Sequence, residues 1–202
     1  MKKYYYILIT IFVFSCNGEN VKTKKQGTII KKVIDSNYEY KHFKDNPTTK
    51  TINIKRIKSD ADYVTTTFLP KNKTKNFIFK DNKFYVFIYL IKKNKNKLNI
   101  VGYLITYDSI NPYIFDKNTD IFVELFLKEA GMPIYDGKVK IGMNIDSLKN
   151  FFGNKYDSIN NFIIYKYGKK RLFFKIKDEK VTKIKIGIYK KNVKNADLIK
   201  GI

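Results

Sequence analysis

Near the end of the chain, three consecutive segments have the length and composition of β-strands, and the last two alternate between apolar and mainly lysine side chains. This pattern limits the possible folds more than any other feature. The segments are Phe162–Tyr167, Arg171–Lys177 and Val181–Tyr189, and short polar turns separate them. Alternation with a period of two is typical of antiparallel strands that have one buried and one solvated face. The pattern therefore predicts a sheet with apolar side chains inward and lysines outward.

A helix is predicted just before these strands. Asn144 is a favourable N-cap and Gly153 a favourable C-terminal stop for a helix from Ile145 to Phe152, whose apolar residues share one face. We expect this face to cover the apolar side of the sheet. The preceding residues 138–142 (KVKIG) are expected to form a short strand.

A long hairpin is predicted in the middle of the chain. Its arms, Phe84–Ile91 and Leu98–Tyr107, are rich in aromatic and β-branched residues, and the polar tip covers residues 92–97. A further strand is expected over Thr51–Ile57.

Residues 119–133 fit two structures. Glu124 and Lys128 have the i,i+4 spacing of a helix, whereas the apolar residues between 121 and 127 alternate as in a strand. The sequence YDSIN occurs at 107–111 and again at 156–160, and the same offset aligns 122–129 with a predicted strand. The repeat favours the strand, and it fits either a degenerate duplication or a chance match.

These patterns predict an α+β fold, mainly antiparallel β-sheet with one or two short helices packed on it. Residues 28–137 are expected to form a β-rich domain or subdomain, and residues 138–202 a strand–helix–three-strand module. Apolar residues make up 44% of the chain, which is enough for a hydrophobic core and argues against disorder.

The chain begins with a basic stretch and then an apolar run. Lys2 and Lys3 precede the run from residue 4 to 14. As a helix the run would be about 17 Å long, whereas the hydrocarbon core of a bilayer is about 30 Å thick. We interpret residues 1–15 as an export signal peptide; an uncleaved anchor and a plain secretory signal are the alternatives.

The residues around the single cysteine resemble the lipobox of a bacterial lipoprotein. Val13-Phe14-Ser15-Cys16 follows the basic and apolar stretches in the order of that family, although Phe14 stands where a small residue is usual. Looser boxes of this kind, ending in Ser-Cys, are similar to those of the Bacteroidetes group. The resemblance implies that Cys16 receives a diacylglyceryl group, that the new N-terminus takes a further acyl chain such as palmitate, and that the lipid bilayer is a partner.

Residues 16–27 are expected to form the lipidated cysteine and a flexible tether, because they are polar and lack periodicity. Surface lipoproteins of the Bacteroidetes group tend to carry an acidic cluster after the cysteine, whereas here Glu19 is followed by three lysines. This difference favours an outer-membrane anchor that faces the periplasm, with the cell surface as the alternative.

The net charge of +23 raises the question of nucleic-acid binding. Arg56 and Arg171 are the only arginines, and arginine is the residue that binds phosphates and guanines in bidentate fashion. The abundance of Lys, Asn, Ile, Tyr and Phe is also typical of an AT-rich genome. We therefore expect no nucleic-acid partner, and attraction to an anionic envelope surface stays open.

The sequence predicts no catalytic site, metal or cofactor. His42 is the only histidine, and neither a Gly-x-Ser-x-Gly elbow nor a ligand cluster accompanies it. The closest carboxylate pairs, Asp60 with Asp62 and Asp116 with Asp120, fit turns and helix caps better than glycosidase chemistry.

The hairpin supplies the strongest candidate for a binding surface. Its arms place tyrosines and other large apolar residues on one face, where they would line a patch if the register pairs them. Packing as a second core layer is the alternative. The candidate ligand or partner residues are Tyr85, Phe87, Tyr89, Tyr103 and Tyr107.

Residues 138–189 resemble small envelope modules of the BamE and beta-lactamase-inhibitor-protein type. They share the order strand, Gly142-Met143, helix, Gly153 and three strands, although the proline usual after that glycine is missing. The resemblance implies a protein-binding scaffold without catalysis. We expect a membrane-anchored, non-catalytic interaction or assembly module whose partner is another envelope protein; the alternative is an immunity-type or inhibitor lipoprotein that blocks a toxin or hydrolase.

Overall fold

A computed structural model describes residues 50–69, 73–79, 85–108 and 120–202. Within these ranges the protein forms three short helices and eight strands. In chain order they are α1 (Ile54–Asp60), β1 (Tyr63–Phe68), β2 (Tyr85–Asn94), β3 (Lys97–Tyr107), β4 (Ile121–Leu127), α2 (Ile145–Phe152), β5 (Asp157–Ile159), β6 (Phe162–Tyr167), β7 (Lys170–Lys177), β8 (Lys180–Ile188) and α3 (Asn195–Ile199).

The strands form one antiparallel sheet in the order β1-β2-β3-β4-β8-β7-β6-β5. Each strand follows its neighbour in sequence except at the centre, where β4 pairs with β8, for example at Leu125 and Ile186. The predicted α+β fold, mainly antiparallel sheet, is confirmed. Strands from both sides of residue 137 therefore share one sheet, and the division into two domains stays a prediction.

The first face of the sheet carries the larger core. Helix α1, residues 132–143 and helix α2 cover it, and Leu148 and Phe152 of α2 pack into this core as expected. The Asn144 side chain caps α2 by accepting a hydrogen bond from the Asp146 N–H at 2.7 Å, and Gly153 ends the helix at a φ of 88°. Local signals thus define this helix at both ends.

The second face carries a separate core. Residues 73–79 and the C-terminal segment, which we define as residues 193–202, cover part of it through Phe77, Leu198 and Ile199. The expectation of a solvated lysine face needs correction here. Phe173 is buried on this face, and two of the lysines are partly covered by the C-terminal segment: Lys175 Nζ donates to the Ile202 carbonyl oxygen at 2.8 Å, and Lys185 Nζ donates to the Leu198 carbonyl oxygen.

Most of the predicted elements are found. The hairpin forms with a longer first arm and a two-residue tip, and residues 121–127 form a strand, not a helix. Two predictions are wrong. Residues 54–60 are helical because Asn53 acts as an N-cap, accepting from the Arg56 N–H. Residues 138–142 form no strand, since only Val139 makes a bridge, to Ile134.

The proposed signal peptide, Cys16, the tether and His42 lie outside the described residues, as do Asp116 and most of the first YDSIN repeat. Among the helices that the structure describes, none combines the length and apolar character needed to cross a bilayer.

Candidate functional site

A cleft of about 690 Å³ opens on the second face of the sheet, which we call the aromatic cleft. Its floor comes from β2, β3, β4 and β8, and its walls from β1, residues 73–77 and the C-terminal segment. The volume is in the range of sites that bind small molecules or a short protruding segment of a protein. The lining residues used below are Phe87, Tyr89, Tyr103, Glu124, Phe126, Lys185, Tyr189 and Leu198.

Half-buried aromatic rings form the floor of the aromatic cleft. The registers pair Tyr89 with Tyr103 and Tyr103 with Phe126, which places the rings side by side across three strands. The Phe87 ring centroid lies 4.8 Å from that of Tyr89 and 4.7 Å from that of Tyr103, and Tyr103 lies 5.2 Å from Phe126. These contacts hold the rings in fixed positions, so a partner would meet a preformed surface.

The five aromatic residues that the sequence predicts as one surface divide into two groups. Phe87, Tyr89 and Tyr103 line the aromatic cleft. Tyr85 and Tyr107 are instead buried under Phe79, whose ring stacks on Tyr107 at 4.0 Å. The Tyr85 hydroxyl donates to the Phe79 carbonyl oxygen at 2.9 Å and accepts from its N–H at 3.1 Å. The accessible surface and the second core layer thus share one sheet face.

A buried carboxylate, Glu124, lies at the base of the aromatic cleft with three hydrogen-bonding or charged neighbours. Tyr103 Oη donates to Glu124 Oε1 at 2.7 Å, and Tyr189 Oη donates to Oε2 at 2.5 Å. Lys185 Nζ lies 3.6 Å from Oε2 and also donates to the Leu198 carbonyl oxygen at 2.9 Å. A buried carboxylate is costly unless such partners compensate its lost hydration.

The two tyrosine hydroxyls in this network remain protonated. Burial and the adjacent Glu124 carboxylate hold the pKa of Tyr103 far above its ordinary value of 10. The same causes raise the pKa of Tyr189, which is fully buried. Both hydroxyls therefore act as permanent hydrogen-bond donors to Glu124.

Gly187 makes room for this arrangement. It pairs with Glu124 across the β4–β8 ladder, and the Tyr189 ring crosses over it. A Cβ on residue 187 would lie 2.4 Å from the Tyr189 hydroxyl oxygen and 2.5 Å from Cζ, which is closer than atoms can approach. Only glycine allows Tyr189 to reach Glu124 from this position.

Arg171 fixes the wall that the C-terminal segment provides. Its guanidinium donates to the Val193 carbonyl oxygen at 2.5 Å, to Asn195 Oδ1 at 2.9 Å and to the Lys191 carbonyl oxygen at 3.4 Å. The planar guanidinium holds its donors in fixed directions on two nitrogens, a geometry that the single ammonium group of lysine does not reproduce. One of the two arginines in the chain thus positions the segment that carries Leu198.

Cationic side chains surround the aromatic floor. Lys73, Lys185 and Lys200 line the cleft, and the acidic side chains of the lining are Glu124 and Asp197. Asp197 pairs with Lys200 at 2.8 Å, and this contact lowers the pKa of Asp197. The arrangement offers ring faces to apolar groups and lysines to anionic groups on the same partner.

The acidic residues considered for catalysis have structural partners. Asp62 accepts a hydrogen bond from the Lys93 N–H at 2.7 Å, which lowers its pKa, and Asp120 pairs with Lys58 at 2.6 Å. Asp60 faces Arg56 at 3.7 Å. Within the described ranges, no group of three or more His, Cys, Asp or Glu side chains could hold a metal ion.

No protein-family model, curated protein or solved structure matches this chain. Of the lining residues named above, sequence reasoning missed five: Glu124, Phe126, Lys185, Tyr189 and Leu198. The spacing of Glu124 and Lys128 indicated a helical ion pair, whereas Glu124 contacts Lys185 and Tyr189, which are more than fifty residues away in the sequence. The available signal was the alternation at the end of β4, which places Glu124 and Phe126 on one face and Leu125 and Leu127 on the other.

Proposed function

We propose that this chain is an exported lipoprotein, anchored through Cys16 in the outer membrane and facing the periplasm, that works as a non-catalytic interaction module. The aromatic cleft is its contact surface for another envelope protein. The tether of residues 16–27 holds this surface close to the membrane.

The observation that carries the proposal is the preformed aromatic floor. Phe87, Tyr89 and Phe126 are half-buried, so each leaves part of a ring accessible inside a concave site. Aromatic rings that keep one face accessible are enriched in protein-binding surfaces, because they bury a large apolar area at a low cost in conformational entropy. Lys73, which is exposed in the lining, favours a partner with an acidic group beside an apolar projection.

The test is affinity capture from detergent-solubilised envelope with the full chain as bait. Phe87→Ser combined with Tyr89→Ser removes two accessible rings and leaves Glu124 and its donors unsubstituted. Tyr156→Ser is the matched control, since Tyr156 is also half-buried but lies outside the cleft, against Tyr165. Far-UV circular dichroism checks that each variant is folded.

We expect a discrete partner that the native chain and the control recover and the double variant loses. Retention of every captured protein by the folded double variant would exclude the cleft as the contact surface. A captured toxin or hydrolase whose activity falls in the complex would favour the inhibitor class. Labelling with a palmitate analogue tests the anchor separately: the native chain should be labelled and the Cys16→Ser variant should not.

A further inference from the structure

The exposed large apolar side chains of the described residues are all at one corner of the sheet. Tyr63 is 51% exposed and Val64 45% at the start of β1, and Leu98 is 60% and Ile100 44% exposed at the start of β3. Val64 lies on the opposite face of β1, where it pairs with Leu90. We call the other three residues, with Ile91 between them, the hairpin corner. Single exposed apolar residues are ordinary, but a group of this kind marks an interaction site.

The strand registers make most of this corner continuous. Tyr63 pairs with Ile91, and Ile91 pairs with Ile100, so the three side chains lie in a row across β1, β2 and β3. Leu98 is two residues from Ile100 on the same face and pairs with Lys93. At the spacing of neighbouring strands the row is about 10 Å long.

The charge next to this row is mostly positive, although Asp62 and the exposed Glu129 also lie near it. Residues 92–100 contain four lysines and neither Asp nor Glu. Asp62 is paired with Lys92 at 3.3 Å. Lys93, Lys95 and Lys97 are exposed at the tip.

We propose that the hairpin corner is a second membrane contact, which lays Tyr63, Leu98 and Ile100 into the headgroup region of an anionic phospholipid bilayer. Exposed apolar groups flanked by lysines bind such surfaces, because the apolar side chains enter the interface while the ammonium groups reach anionic headgroups. Lysine, a strongly hydrated point charge, suits a diffuse anionic surface better than it suits a defined bidentate acceptor. This site is independent of Cys16 and of the partner proposed for the aromatic cleft.

The hairpin corner lies next to the aromatic cleft on the same face of the sheet. Tyr89, which lines the aromatic cleft, precedes Ile91 by two residues and lies on the same face of β2. Contact at the corner would therefore place the cleft beside the bilayer and restrict the directions from which a partner can approach.

A local probe tests the proposal in the full chain. Cys16 is the only cysteine, so Cys16→Ser with Leu98→Cys gives a single thiol for an environment-sensitive fluorophore. The probe is read on vesicles of phosphatidylcholine alone and of equal parts phosphatidylcholine and phosphatidylglycerol. A second protein carries the probe at Asn154→Cys, an exposed position near the opposite edge strand, β5. Both proteins have the same N-terminal segment, so any binding by that segment does not distinguish them.

We expect a blue shift at position 98 on the anionic vesicles and none at position 154. Lys95→Gln with Lys97→Gln should raise the lipid concentration needed for half of the shift by about fivefold per lysine. Lys155→Gln with Lys177→Gln changes the net charge equally at other exposed sites and should have a much smaller effect.

Three results would overturn the proposal. The first is unshifted fluorescence at position 98 on anionic vesicles, and the second is an equal effect of the two lysine pairs on the lipid concentration needed for half of the shift. The third is a blue shift at position 98 that occurs only after envelope proteins are added. The last result would assign the corner to a protein partner.

Discussion

At the scale of single residues, the second face of the sheet is organised by polar side chains that are buried with partners. Glu124 has two tyrosine donors and a lysine, and Arg171 has three acceptors. Removing one member of such a set leaves the others buried and unsatisfied, which costs more than the lost hydrogen bond alone. Substitutions in these sets should therefore affect the free energy of unfolding strongly.

Gly187→Ala should displace Tyr189 and disrupt the donors of Glu124. We expect a loss of about 2 to 4 kcal/mol in the free energy of unfolding, from the steric clash and the weakened hydrogen bond. Urea denaturation measures it. In a Tyr189→Ala background the clashing ring is absent, so the same glycine substitution should cost much less. Additive effects in this double-mutant cycle would contradict the proposed role of Gly187.

Lys170 should make the stability of the protein depend on pH. It is buried beside the Tyr135 ring, its Nζ donates to the Lys50 carbonyl oxygen, and burial lowers its pKa from 10.5 to about 7. At pH values between about 7 and 10.5, Lys170 is protonated in the unfolded chain and has lost its proton in the folded chain. The free energy of unfolding should therefore rise with pH above 7, by at most about 1.4 kcal/mol per unit.

Urea midpoints between pH 7 and pH 9 measure this effect, at pH values below the range in which the tyrosines of the unfolded chain ionise. Lys170→Met should be more stable than the native chain at pH 7, with the difference shrinking as the pH rises. An equal pH dependence for the two proteins would show that Lys170 is not the group responsible.

At the scale of elements, the sequence predicts what depends on local signals. The caps Asn144 and Gly153 define α2, and alternation defines β7 and β8. Helix α1 was missed because Ile52 and Ile54 alternate as in a strand, although Asn53 already provides a cap. Helix α3 has five residues and no side-chain cap hydrogen bond, and it depends on contacts with the sheet.

Only part of the candidate site could be predicted from the sequence, because the rest depends on long-range contacts and not on local signals. The hairpin register that joins Tyr89 and Tyr103 follows from the pattern of its two arms. The covering of the lysine face depends on the C-terminal segment folding back onto β7 and β8, and no local sequence pattern encodes this return. Glu124 belongs to the site only through that long-range packing.

The attachment of the C-terminal segment should depend on Arg171. Arg171→Lys keeps the charge but loses the planar guanidinium, so amide hydrogen exchange over residues 193–202 should accelerate. We expect a loss of about 1 to 3 kcal/mol in the free energy of unfolding. Arg56→Lys is the matched control, because Arg56 makes exposed ion pairs with Asp136 and Asp60 and should change stability by less than about 1 kcal/mol. Unchanged exchange over 193–202 in Arg171→Lys would contradict this role.

At the scale of the whole molecule, the pairing of β4 with β8 makes one sheet from the two halves of the described chain. The first-face core crosses this seam, since Leu125 of β4 packs in the same buried cluster as Ile186 of β8. One face of this sheet is closed by helices, whereas the other is closed in part and presents the aromatic cleft and the hairpin corner.

The continuous sheet predicts a single cooperative unfolding transition. Leu125→Ala should lower the free energy of unfolding by about 2 to 5 kcal/mol, since it opens a cavity at the seam. The transitions followed by near-UV and far-UV circular dichroism should stay coincident. Leu98→Ala, at an exposed leucine, is the control and should have little effect. Two separate transitions would instead support independent domains divided near residue 137.

Site-specific photocrosslinking in living cells tests directly whether the aromatic cleft contacts another envelope protein. A photoreactive amino acid replaces Tyr89 on the floor of the aromatic cleft or, in the control strain, Tyr156 outside it. We expect a discrete crosslinked envelope protein from position 89 and none from position 156. The same product from both positions, or no product from position 89 in a folded and membrane-associated chain, would contradict that contact.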